Sequence, residues 1–308
     1  MKKITGFIRL YFNEVDKRVL LLTSLLAATM IFCNYYYGID QWINHQDRFI
    51  LRFGYRYIIS TISFVLPYYF YQINKTADYF SKRLFLLLLL TAPAIFSLKM
   101  SMPSGFTLST DSHWNHYWNR IIYWPWRLLT TIVILWVIWR KYYRHQSFFG
   151  MTVRKFDWKP YAWMLVIMLP LIAAASTQPD FLQVYPKLKM IEGDIIHSSN
   201  AWFYKLLFEL SYGSDFISIE LFFRGFLILA FVKWAGKEAI LPMACFYCSI
   251  HFGKPLGECI SSYFGGILLG IIIYHTRSIF GGLMVHLGIA WLMETGGYIG
   301  LTLMQGIP

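Results

Sequence analysis

The chain has 308 residues, 57% of them hydrophobic and 19% aromatic, with only 14% charged. That composition excludes an ordinary soluble domain and fits an all-α, polytopic membrane bundle of about eight or nine transmembrane helices. Lysine and arginine number 28 against 16 acidic residues, a net charge of +12, yet these bases lie between apolar runs. They read as topology determinants and lipid-headgroup contacts, which argues against nucleic acid as a partner.

From the N-terminus, Met1 through Arg18 is basic and amphipathic, and a small-residue cleavage site after the first apolar run is not expected. Apolar runs predict spans at Leu20–Tyr37, Tyr57–Ile73, Leu84–Leu98, Ile121–Trp139 and Tyr161–Ala175. Ala201–Leu210 reads as an interfacial helix. Further spans are expected at Phe216–Lys233, Ala239–Phe252, Cys259–Tyr274 and Ile279–Met304. The last is long enough for a span plus a re-entrant or broken end, because Gly296, Gly297 and Gly300 interrupt it. The four cysteines (Cys33, Cys245, Cys248, Cys259) sit in apolar segments, which speaks against a disulfide framework.

Basic residues orient the chain. Arg140, Lys141, Arg144, Arg154, Lys155 and Lys159 make one loop cytoplasmic, while Lys99–Arg120 is nearly free of bases and belongs outside. Lys2, Lys3, Arg9, Lys17 and Arg18 then place the N-terminus inside, consistent with Lys75–Arg83. The organisation divides into residues 1–177, transmembrane helices with basic loops, and residues 201–297, which hold the buried ionisable set. The protein is expected in a membrane, with lipids as partners.

Glu220 and Arg224 stand four residues apart inside an apolar run. Charges at membrane depth are costly, so such residues are usually paired or functional, and this spacing puts both on one helix face. The plain alternative is a structural ion pair, with Gly225 allowing close helix approach. His251 precedes Phe-Gly-Lys-Pro at a helix end, where a break opens a cavity. Cys245, Cys248 and His251 have a metal-like spacing, but no fourth ligand accompanies them, and small-residue packing is the better reading. His286 lies among small residues, with Ala290 and Glu294 following at steps of four. The Gly-rich run to Gly270 reads as a packing helix, closed by the polar turn Tyr274–Ser278.

Taken in order, these segments resemble the CAAX-protease and bacteriocin-processing (Abi) family of intramembrane proteases. Glu220, Phe223, Arg224 and Gly225 match its Glu-Glu-x-x-x-Arg helix; Tyr247 and His251 match the second element; Gly270 and Thr276-Arg277-Ser278 match the connector; His286 matches the last. Two positions depart: the pair's first glutamate is Ile219, and the Asn or Asp after the last histidine is Ala290. The resemblance implies an intramembrane endopeptidase of a bacterial inner membrane, with a peptide or protein substrate, in which Glu220 and His251 activate water, Arg224 holds the acid, and His286 donates to the oxyanion or ligates a metal. It also implies a divalent ion such as zinc on Glu220, His251 and His286, as in a metalloprotease. With Ile219 in place of the acid, Asp215, Glu258 or Glu294 is available as a substitute. The alternative is a catalytically inactive relative that binds a peptide or membrane partner. A transporter is disfavoured because repeated broken spans are absent.

Overall fold

The computed structural model describes residues 2–74, 78–103, 105–153, 156–195 and 198–305. Lys75, Arg154 and Lys155 of the basic loops lie outside the described residues. The protein is an all-α integral membrane protein, without a strand among the described residues. Its helices are α1 Lys2–Glu14, α2 Lys17–Tyr37, α3 Ile39–Asn44, α4 Phe49–Asn74, α5 Arg83–Ser101, α6 Ser112–Tyr142 and α7 Lys159–Ala175. There follow α8 Pro179–Val184, α9 Glu192–Ile195, α10 Ala201–Ile219, a π-helix Glu220–Ala230, α11 Val232–Ala235, α12 Ile240–Ser249, α13 Leu256–Thr276 and α14 Phe280–Gln305.

Five of these, α2, α4, α5, α6 and α13, are long and apolar enough to cross a membrane; α7 is apolar but shorter, at 17 residues. Asp16 opens α2 by accepting from the amides of Arg18 and Val19, and Gly38 closes it at φ +64°. Three expectations change in form. The interfacial helix expected at Ala201–Leu210 continues to Ile219 without a break. The span expected from Ala239 is the ten-residue α12, about 15 Å long and half the depth of a bilayer's hydrocarbon. The expected break in the last span is absent, since α14 runs unbroken for 26 residues.

The chain forms two compact units. The first comprises residues 1–102, 133–155 and 220–280. Here every residue of α12 is buried, and α12 packs on α2, α4 and α13. Aromatic rings fill the space around it: Phe96 meets Phe223 at 4.8 Å, and Phe246 meets Phe223 at 5.2 Å. A Cβ on Gly266 would lie 3.2 Å from the Ala244 Cα, so this glycine sets the close approach of α13 to α12, as expected of a packing helix.

The second unit comprises residues 103–132, 156–219 and 281–308. Its core gathers Tyr117, Ile121, Trp124, Phe208, Tyr212 and Phe216. The glycines of α14 act here by closeness rather than by breaking the helix. A Cβ on Gly297 would sit 2.7 Å from the Pro186 nitrogen, and one on Gly300 would sit 2.4 Å from the Ser176 carbonyl oxygen. Lacking side chains, they let α14 lie against the backbone at 176–186.

Candidate active site

Helix geometry changes where the chemistry begins. Residues Glu220–Ala230 follow the wide i→i+5 pattern of a π-helix, rare in proteins and frequent at functional sites. All eleven residues are buried. Glu220 and Arg224 therefore face each other on a widened turn, both 0% exposed, with Arg224 Nη1 3.3 Å from Glu220 Oε1. The Arg224 nitrogens make no aligned hydrogen bond among the described residues. The cation is balanced by the carboxylate and by the ring of Tyr247, whose centroid lies 3.8 Å from the guanidinium carbon.

Tyr247 extends the chain of contacts to the histidine. It stands on α12, and the ring of His251, just past that helix, meets it edge-on at 4.6 Å. The carbonyl of Tyr247 accepts a hydrogen bond from His251 Nδ1 at 2.9 Å. A carbonyl oxygen only accepts, so Nδ1 carries the proton of that bond and Nε2 is the ring nitrogen left for proton transfer. The turn bearing His251 is held from α2 and its edge: Asn34 Nδ2 donates to the Phe252 carbonyl at 2.9 Å, and the Tyr35 hydroxyl donates to the Lys254 carbonyl at 2.5 Å. Gly253 fits beside Asp40, since a Cβ there would fall 2.7 Å from Asp40 Oδ2.

The first unit thus brings together Glu220, Arg224 and His251, with Tyr247 between the arginine and the histidine. Of the carboxylates open as substitutes for the missing acid, Glu258 belongs to this unit and pairs with Lys254 at 3.4 Å. The other two belong to the second unit. Asp215 accepts from Ser218 Oγ at 3.1 Å. Glu294 accepts from the amides of Lys187 at 2.8 Å and Leu188 at 3.2 Å, which commits it to capping a short 3₁₀ turn.

His286 is also in the second unit, with the Phe216 ring 4.8 Å from its own. Ala290, in the place of the family's Asn or Asp, is buried in the aromatic core of that unit. A zinc shell needs three converging donors, and among the described residues no group of three His, Cys, Asp or Glu side chains is placed to hold a metal ion. Glu220 and His251 belong to the first unit and His286 to the second, and no step of the proposed chemistry is routed through a metal.

Sequence reading missed the support beneath Gly225. The 3₁₀ turn Phe148–Gly150 presses on the π-helix, and a Cβ on Gly225 would stand 2.6 Å from the Phe149 carbonyl oxygen. The same turn receives the Thr276-Arg277-Ser278 connector. Ser278 Oγ donates to the Thr152 carbonyl at 2.5 Å, and the Ile279 amide donates to the Gly150 carbonyl at 3.0 Å. Arg277 ends α13 in the left-handed region at φ +58°. The connector's role here is to dock the end of α13 on that turn.

Residues 201–292 match the family model described as type II CAAX prenyl endopeptidase, Rce1-like. No curated protein and no solved structure matches the chain.

Proposed function

We propose, on the match of residues 201–292 to the family model of type II CAAX prenyl endopeptidases, Rce1-like, that the chain is a member of that family and hydrolyses a peptide bond of a membrane-tethered peptide through His251. The observation that carries this reading is the continuous run of contacts from Glu220 through Arg224 and Tyr247 to His251 inside the matched segment. His251 Nε2 is the base that takes a proton from water as its oxygen attacks the carbonyl carbon, and it returns that proton to the leaving amine. The bond from Nδ1 to the Tyr247 carbonyl fixes the ring's tautomer and orientation for both transfers.

Glu220 is a positioning residue in this reading, because a carboxylate held by a buried guanidinium is a poor base. Glu258, in the same unit as His251 and paired with Lys254, is the substitute carboxylate whose contribution Glu258→Gln tests. The basic loops support a cytoplasmic N-terminus, and the family match suits a bacterial inner membrane.

The test uses the full chain in lipid nanodiscs with quenched peptides, prenylated and unprenylated, comparing wild type with His251→Ala, Glu258→Gln and Glu220→Gln. His251→Ala is expected to lower kcat by about 100-fold or more. Cleavage unchanged by His251→Ala sinks the assignment. The same assay on His286→Ala tests the oxyanion role that the resemblance assigns to it.

A further inference from the structure

An apolar groove in the first unit lies outside the matched segment. It runs along α5 from Leu87 to Leu98, between α4 and the end of α6, with a volume of about 480 Å³. Leu88 and Ile95 are its buried floor, while Ile50 and Leu87 stand exposed at its mouth. Of its lining residues only Thr91 and Tyr142 carry side-chain oxygens, and the Thr91 hydroxyl is already bound to the Leu87 carbonyl at 2.8 Å. All three helices are among those able to cross a membrane, so the groove belongs at hydrocarbon depth.

Size and polarity select the occupant. The stripe from Leu87 to Leu98 is about 16 Å long, within reach of one extended acyl chain. An extended peptide would leave its amides and carbonyls without partners on these walls. A single hydrocarbon chain meets both conditions. At the Phe49 end the preceding residue, Arg48, is exposed and offers a guanidinium suited to a phosphate.

We propose that this groove is a binding site for one acyl chain of a phospholipid, whose phosphate is met by Arg48. No lining residue falls within 201–292, so the site is separate from the proposed catalytic residues and stands whether or not they cleave peptides.

The experiment is photolabelling of the full-length protein in nanodiscs containing a phospholipid with a diazirine in its acyl chain, mapped by peptide mass spectrometry. Labelling is expected to saturate at one lipid per protein and to concentrate in peptides covering 87–98 and 134–142. Ala94→Phe, which fills the groove, is expected to reduce it roughly tenfold, the worth of about two methylenes of lost burial. Arg48→Gln is expected to raise the half-saturating lipid concentration about fivefold, the effect of one cation beside a lipid surface. Labelling spread evenly over all the spanning helices means annular lipid only and overturns the proposal. So does stronger competition from an isoprenoid than from phospholipid. The wild-type map decides between these outcomes without any variant, and a thermal unfolding trace separates a filled groove from a misfolded Ala94→Phe.

Discussion

The guanidinium carbon of Arg224 lies over Tyr247, 3.8 Å from the centre of its ring, with both residues shut away from solvent. A cation in such a place depends on the π-face as well as on its carboxylate, and desolvated pairs of this kind are worth about 2 kcal/mol. Tyr247→Phe keeps the face and loses only the hydroxyl beside Arg224, so it is expected to cost less than Tyr247→Leu. Tyr247→Leu removes it and is expected to cost at least about 2 kcal/mol. Thermal unfolding in detergent reads the difference, and equal behaviour of the two variants refutes a role for the ring.

Glu220 and Arg224 should also show the asymmetry of buried ion pairs. Glu220→Gln leaves a buried cation without its counter-charge, a loss of about 3–5 kcal/mol. Adding Arg224→Met should recover part of that loss, because the stranded charge goes too. A double-mutant cycle in denaturant gives the coupling, and additive losses contradict the pairing.

Two glycines of the first unit provide a matched comparison. A Cβ at Gly225 meets the Phe149 backbone oxygen at 2.6 Å, whereas at Gly265, inside α13, nothing lies within 4 Å. Gly225→Ala is expected to destabilise by about 1–3 kcal/mol through overpacking. Gly265→Ala should stabilise by about 0.5–1 kcal/mol, the ordinary helix preference for alanine. Similar melting points for both would show that the turn at 148–150 yields freely.

Glu209 on α10, outside the five spanning helices, gives the second unit a pH dependence. Burial, with a smaller push from Glu294, raises its carboxyl from 4.5 to about 7. The folded state then holds a proton that the unfolded chain releases near pH 4.5. This contribution is fully present below that pH and is lost as pH rises through about 7. Partial exposure reduces the effect to the order of 1 kcal/mol. Glu209→Gln should flatten this slope between pH 4.5 and 7. An identical pH profile for variant and wild type would dismiss the effect.

Much of this was legible in the residues themselves. Long apolar runs mark α2, α4, α5, α6 and α13 because a spanning helix must satisfy its own backbone, leaving a compositional trace. Glu220, Arg224 and His251 stood out because ionisable groups are scarce at such depth. Other features leave no local trace. Glu294 looked like a spare carboxylate, but its partners are backbone amides 107 and 106 residues away, and amides carry no sequence signature. Gly296, Gly297 and Gly300 suggested a break, since a glycine that ends a helix and one that admits a neighbour are spelled alike. The widened turn at Glu220 is equally silent, because a four-residue spacing suits an α- and a π-helix alike.

The turn at Phe148–Gly150 bears on whether the matched segment can be transplanted. It sits outside the matched segment, yet it seats both the glycine after Arg224 and the residue that follows the Thr-Arg-Ser turn. Residues 201–292 are therefore not a portable module. A chimera that moves them into another scaffold without the Phe-Phe-Gly wedge moves the motif and leaves behind the surface that holds it in register.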